Sequence, residues 1–146
     1  MIPLSRRSLF AIAAVVDIAL HARPMPVAAR ALAERHNLPP RHLETVLQAL
    51  VRAGILKGTR GPRGGYELAR ERRRITVADI VRAAGGAADE PAPSPSPLLE
   101  HAVLSVLAEA TDSFLAALDR ITVEDLCKRA GPQNDPGNDH IHDIGL

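Results

Sequence analysis

Leu38-Pro39-Pro40-Arg41-His42-Leu43-Glu44-Thr45-Val46-Leu47-Gln48-Ala49-Leu50-Val51-Arg52-Ala53-Gly54-Ile55-Leu56-Lys57-Gly58-Thr59-Arg60-Gly61-Pro62-Arg63-Gly64-Gly65-Tyr66-Glu67-Leu68-Ala69 decides the fold of this chain. Pro40 suits a first helical position, where its missing N–H would be unpaired in any case. Leu43, Val46, Leu47 and Leu50 then recur at three- and four-residue steps, so the segment from Pro40 to Ala53 reads as a helix with one apolar face. Gly54 ends it. Ile55 to Thr59 and Tyr66 to Leu68 read as two short strands around a loop of Gly and Arg. A helix followed at once by a glycine-rich, arginine-bearing hairpin is the layout of a winged helix-turn-helix. In that layout the helix can enter the major groove of DNA while the wing lies along the phosphates.

Working outward, a first helix is predicted from about Ser5 to His21, with Ser5 as N-cap. Leu9, Ile12, Val16 and Leu20 form its apolar stripe. Arg23-Pro24-Met25-Pro26 breaks the chain, and a second helix runs from about Val27 to His36, with Asn37 supplying a left-handed C-terminal turn. Beyond the wing, Thr76 caps a fourth helix whose buried side is Val77, Ile80, Val81 and Ala84, and Gly85-Gly86 stops it. Ala87 to Pro97 is rich in Pro, Ala and Ser and reads as a flexible linker.

A long helix follows from about Leu98 to Arg120. Leu99, Val103, Val106, Ala110, Phe114 and Leu118 make a continuous stripe, widened by Leu98, Leu104, Leu107 and Leu115. So wide a stripe needs two partners: the amino-terminal domain, and a second copy of the same helix. Ile121 to Leu126 begins a short capped helix that ends at Arg129, and the remainder is a polar tail expected to be disordered. The fold class is therefore mainly α. Residues 1–85 form the winged helix-turn-helix domain, 86–97 the linker, 98–130 the dimerisation helices and 131–146 the tail.

Composition supports this division. Aromatics are 2% of the 146 residues, so the core must be built from Ala, Leu, Val and Ile, which favours helices. The net charge of +1 hides an asymmetry: residues 1–84 hold 15 Lys/Arg against 6 Asp/Glu, or +9, and residues 85–146 hold 3 against 11, or −8. A basic half joined to an acidic half points to a polyanion at one end only. No apolar run approaches the length needed to span a bilayer, and Asp17 interrupts the first apolar segment, so neither a membrane span nor a signal peptide is expected. One cysteine, Cys127, excludes an internal disulfide framework and suits the cytoplasm.

The predicted reading surface is the outer face of the third helix. Arg41, Thr45, Gln48 and Arg52 lie opposite its apolar side, flanked by His42 and Glu44, and together they hold the donors and acceptors that read base edges and phosphates. Glycines in the wing allow positive φ and close backbone approach, so N–H groups near Gly64 can reach phosphate oxygens. Arg63 can enter the minor groove from the wing tip, with Arg60 and Lys57 beside it. Arg6 and Arg7 can anchor phosphates near the first helix. Tyr66 reads as a packing residue at the base of the wing.

These residues resemble a known family. Ala14, Val16, Asp17, Ala19 and Leu20 lead to Leu32-Ala33-Glu34-Arg35 and to the Leu43–Leu56 segment. Arg60-Gly61-x-x-Gly64-Gly65-Tyr66-x-Leu68-Ala69, Ile75-Thr76-Val77-x-Asp79-Ile80 and Ile121-Thr122-Val123-x-Asp125-Leu126 follow. The order is similar to that of the Rrf-type winged-helix repressors, the superfamily of the IscR, NsrR and RirA regulators. The resemblance covers about Leu4 to Lys128, and it implies a homodimer, held by the long helix, on a palindromic promoter site. Sensing members carry three cysteines between the fourth helix and the long helix. Here Gly85 to His101 has none, and one imidazole, His101, cannot replace them. The resemblance therefore implies a member without the iron–sulfur cluster, and no cofactor or metal is expected. Many members also have an aromatic residue where His42 stands.

Two alternatives remain open. A winged helix can serve as a protein-interaction module without DNA binding, with the long helix pairing with a different chain. Alternatively, DNA binding is retained and Cys127, whose neighbours Lys128 and Arg129 favour a thiolate, acts as a thiol redox sensor. Against that stands the reading of Cys127 as a small buried hydrophobe. Asp139-His140-Ile141-His142-Asp143 is weak as a metal site, and no nucleophile, base and orienting acid occur together, so catalysis is disfavoured.

Overall fold

The computed structural model describes residues 4–23, 25–85 and 96–131. The order is α1 (Arg6–His21), α2 (Ala29–His36), α3 (Pro40–Arg52), β1 (Leu56–Thr59), β2 (Gly65–Leu68), a 3₁₀ turn (Arg72–Arg74), α4 (Val77–Ala83), α5 (Leu104–Leu118) and α6 (Val123–Ala130). A wider π-type turn, Leu99–Val103, opens α5. The expected tail and most of the expected linker lie outside the described residues.

Local chemistry sets the boundaries. The Ser5 hydroxyl accepts from the Ser8 N–H and caps α1. Asn37 adopts φ 52°, the left-handed turn after α2. Thr76 and Asp79 form a capping box at α4, and Thr122 and Asp125 repeat it at α6.

One core unites α1, α2, α3, α4, α6 and the base of the wing. Ile18, Leu32, Leu47, Leu50, Ile75, Ile80 and Val123 are all 0% exposed. Helix α6, which the sequence groups with the dimerisation helices, contributes Val123 and Cys127 to this core. It is stitched there by backbone bonds from Val77 N–H to Ile121 O (2.8 Å) and from Val123 N–H to Ile75 O (2.8 Å).

Two packing expectations are corrected. The buried residues of α1 are Ser8, Ala11, Ala14, Val15, Asp17 and Ile18; of the expected stripe, Ile12 and Val16 pack against the core only in part, while Leu9 and Leu20 do not enter it. Leu9 and Leu20 are each 37% exposed. The segment from Leu9 to Leu20 is apolar nearly all round, so the helical period fits either face. The alanine side allows closer approach of neighbouring helices and takes the interior. Second, α2 starts at Ala29 rather than Val27. Val27 instead pairs antiparallel with Tyr66, exchanging bonds of 2.9 and 2.8 Å, and so extends the wing at its base.

Helix α5 stands apart. None of its residues is buried. Leu104 at its start and Thr111, Phe114, Leu115 and Leu118 farther along are partly covered, and the rest of the helix is exposed. Contrary to the sequence expectation, Leu99–Leu118 is also long and apolar enough, by length and composition, to cross a membrane. It carries Glu100, Glu109 and Asp112 along that length.

Candidate nucleic-acid interface

Helix α3 positions the predicted reading residues. Its inner side chains Leu43, Val46, Leu47 and Leu50 are 0–1% exposed, which fixes the rotation of the helix about its axis. Arg41, His42, Glu44, Thr45, Gln48 and Arg52 are all exposed. The Thr45 hydroxyl donates back to the Arg41 carbonyl at 3.2 Å, so its proton is committed within the helix while its oxygen can still accept.

Two further elements join that face. The amino end of α1 lies beside the first half of α3, where Arg6, Arg7 and Phe10 share an open cleft with Asn37, His42 and Thr45. The wing projects after α3, with Arg60 and Arg63 exposed at its turn. Its register pairs Leu56 with Leu68, Lys57 with Glu67, Gly58 with Tyr66 and Thr59 with Gly65. Lys57 is thereby drawn toward Glu67, 3.7 Å away, so part of its charge is already neutralised.

The wing glycines serve different needs. Only Gly61 has positive φ, at 114°. A side chain on Gly64 would strike the Thr59 carbonyl, and one on Gly65 would strike the Val27 backbone. Gly64 and Gly65 are thus required for close packing of backbone on backbone, not for an unusual φ. Tyr66 packs against the core at the wing base, as expected.

Sequence reasoning missed the device that ties α1 to α2. The Asp17 carboxylate, 3% exposed, accepts from Arg35 Nε (2.8 Å) and Nη2 (2.6 Å) and bonds His36 Nε2 at 2.7 Å. His21 Nδ1 lies 2.9 Å from the Asp17 carbonyl and 3.3 Å from its carboxylate. Burial pushes the Asp17 carboxyl upward. The hydrogen bonds from Arg35 and then His36, with the charges of Arg35 and His21, outweigh it and hold Asp17 below the usual carboxylate range. The same hydrogen bond raises Arg35 further. Arg35 and His36 lie 18 and 19 residues from Asp17, so no local pattern announces the cluster.

Cys127 is 6% exposed within the core, where oxidants reach it poorly. Among the described residues no group of three or more His, Cys, Asp or Glu could hold a metal ion. The pair His140 and His142 lies outside them.

A mainly helical winged helix-turn-helix with a two-stranded antiparallel wing is the architecture of a DNA-binding regulator. The family model described as "Rrf2: Iron-dependent Transcriptional regulator" matches residues 4–129, and the chain belongs to that family. It is 36% identical over 127 residues to a putative HTH-type transcriptional regulator of Synechocystis, covering 84% of this chain and 86% of that protein. It is 32% identical to the HTH-type regulator IscR of Xenorhabdus nematophila, covering 86% and 79%. Among solved structures, T. potens IscR superposes with a TM-score of 0.72 at 33% identity over 91% of each chain. CymR, the global cysteine regulator of B. subtilis, superposes at 0.69 with 25% identity, over 88% of this chain and 98% of that one. The family is non-enzymatic. The family description is iron-dependent, but this chain has a single, buried cysteine and His101 alone near the expected cluster segment. That donor set does not fit an iron–sulfur cluster, which is held by several thiolates.

Proposed function

We propose that this regulator acts in the cytoplasm as a homodimeric repressor on a palindromic promoter site. The observation that carries the reading is the pair of exposed faces on opposite elements. The polar row of α3 is aimed outward by its own buried side, and the apolar row of α5 is left uncovered. Leu99, Val103, Val106 and Leu107 are 39–61% exposed, a large continuous apolar surface for a protein in water. A second copy of α5 would cover it, with Ala110, Phe114 and Leu118 continuing the seam. Glu109 and Asp112 fit a wet dimer margin better than lipid. Twofold pairing then presents two α3 helices to successive major grooves, about 34 Å apart.

Within each half-site, Arg41, His42, Glu44, Thr45, Gln48 and Arg52 face base edges and flanking phosphates. Arg6 and Arg7 hold the backbone at the edge of α3, and Lys57, Arg60 and Arg63 hold it along the wing; the Gly64 N–H, expected to reach phosphate, is instead committed to the Gly61 carbonyl at 2.9 Å. The two roles separate by experiment. Gln48→Ala is expected to relax preference at one base pair by about 1–3 kcal/mol. Arg63→Ala is expected to weaken binding to all sequences and lower the salt slope by about 1. Equal losses on matched and mismatched duplexes for Gln48→Ala would remove α3 from base reading.

A further inference from the structure

A second cluster of arginines lies at the other end of α1. Helix α1 has 16 residues, so its ends are about 24 Å apart at about 1.5 Å per residue. Its amino end, with Arg6 and Arg7, borders the recognition helix. Its carboxyl end forms a cleft with the segment after β2 and the start of α6. Arg23, Arg70, Arg72 and Arg73 line it, over an apolar floor that includes Ile18, Ala22 and Leu68.

The charges there are arranged for a small oxyanion rather than for duplex DNA. Four arginines face three glutamates, Glu67, Glu71 and Glu124. Glu67 is drawn to Lys57, and Glu71 accepts from Arg73 Nε at 2.6 Å. Arg70 is steered by its Nε donating to the Gly54 carbonyl at 3.2 Å. Among the described residues, Arg23 and Arg72 have no ion-pair or hydrogen-bond partner, so two guanidiniums lining the cleft are left available to a ligand. Asp79 lies 3.9 Å from Arg70, and Glu124 lowers the net positive charge of the cleft further, so the charge left over suits one compact anion held by Arg23 and Arg72 rather than a run of phosphates. Guanidinium forks match carboxylate and phosphate geometry bidentately.

We propose that this cleft binds a small metabolite through a single phosphate or carboxylate group, and that occupancy alters DNA affinity. The cleft joins the base of the wing, through Leu68 to Arg73, to Glu124 at the start of α6, which follows α5 directly. A ligand bridging them couples the element that touches DNA to the one that leads from the dimer seam. The coupling half of the proposal rests on the DNA-binding reading above; the binding half does not.

The test uses the full chain and the Arg23→Ala/Arg72→Ala variant, both outside the proposed DNA face. Melting temperature is measured with inorganic phosphate or acetate against chloride at constant ionic strength. The wild type is expected to gain several degrees that the variant does not. A larger wild-type gain over the variant with phosphate assigns a phosphate ester as ligand, and a larger such difference with acetate a carboxylate; the general stabilisation by phosphate is common to both proteins and cancels. Equal response of the two proteins to both anions overturns the site, whatever the DNA result. Binding to a genomically selected duplex is then measured with the effective anion. A several-fold change in wild type, absent in the variant, supports coupling. An unchanged affinity overturns coupling. A variant that has lost salt-sensitive DNA affinity without any added anion shows that these arginines are DNA contacts, and overturns the proposal.

Discussion

Helices α3 and α5 both carry apolar rows at helical spacing, yet they end in opposite situations. In α3, Leu43, Val46, Leu47 and Leu50 are 0–1% exposed, while in α5 Val106 and Leu107 are 61% and 54% exposed. The first helix is fully partnered by its own chain, so its polar side has a fixed direction and can serve as a rigid reader. The second depends on something outside the described chain. A core that is complete without α5 lets one region carry recognition and the other carry assembly, and predicts that the two can be damaged separately.

The largest expected effect breaks the assembly half alone. Val103→Glu with Val106→Glu is expected to leave a folded monomer and to lower affinity for a two-half-site duplex by about 100-fold or more, since a single half-site loses the linked second contact. Light scattering and anisotropy on the same sample check it. Loss of helical circular dichroism in the winged domain would show instead that α5 is needed for the fold.

Asp17→Ala strikes the recognition half from within. It leaves Arg35 and two histidines around an empty carboxylate position, and an expected cost of about 3 kcal/mol is read by denaturant unfolding. The pH dependence follows from the lowered carboxyl of Asp17. The folded state holds this proton less readily than the unfolded chain. The contribution is therefore present above the unfolded value of about 3.9 and is lost as pH falls through the lower folded value. Wild-type stability should converge on that of Asp17→Ala in strong acid, and a constant gap across that range would contradict the role given to the carboxylate. Gly65→Ala has a smaller, more local consequence. Its new methyl group meets the Val27 backbone, so about 2 kcal/mol and the pairing of Val27 with Tyr66 should be lost, visible as faster amide exchange at both residues.

The same contrast marks where the sequence was legible. The outward row of α3 could be read because one face is apolar and the other is not, and the period admits one solution. For α1 it admitted two, and the small side, Ala11 and Ala14, won over Leu9 and Leu20 because closeness of approach does not show in hydropathy. The wing glycines were recognisable as special, but the reason for Gly65 lies in a strand-like segment near Val27 that local preference assigned to a helix. The Asp17 cluster left no trace in any window, since its partners arrive from another helix. The burial of Cys127 was one of the readings its sequence offered, but the docking of Val123 was hidden: α6 looks like an appendage until the Ile121 carbonyl is seen accepting from Val77 and the Ile75 carbonyl from Val123.

Sedimentation velocity of the complex on a duplex with two half-sites tests the central claim most directly. Two chains per duplex are expected, with the Val103→Glu/Val106→Glu variant binding weakly and as single chains. Full-affinity binding by one wild-type chain per duplex would contradict the account, because the bare face of α5 would then have no part in reading DNA.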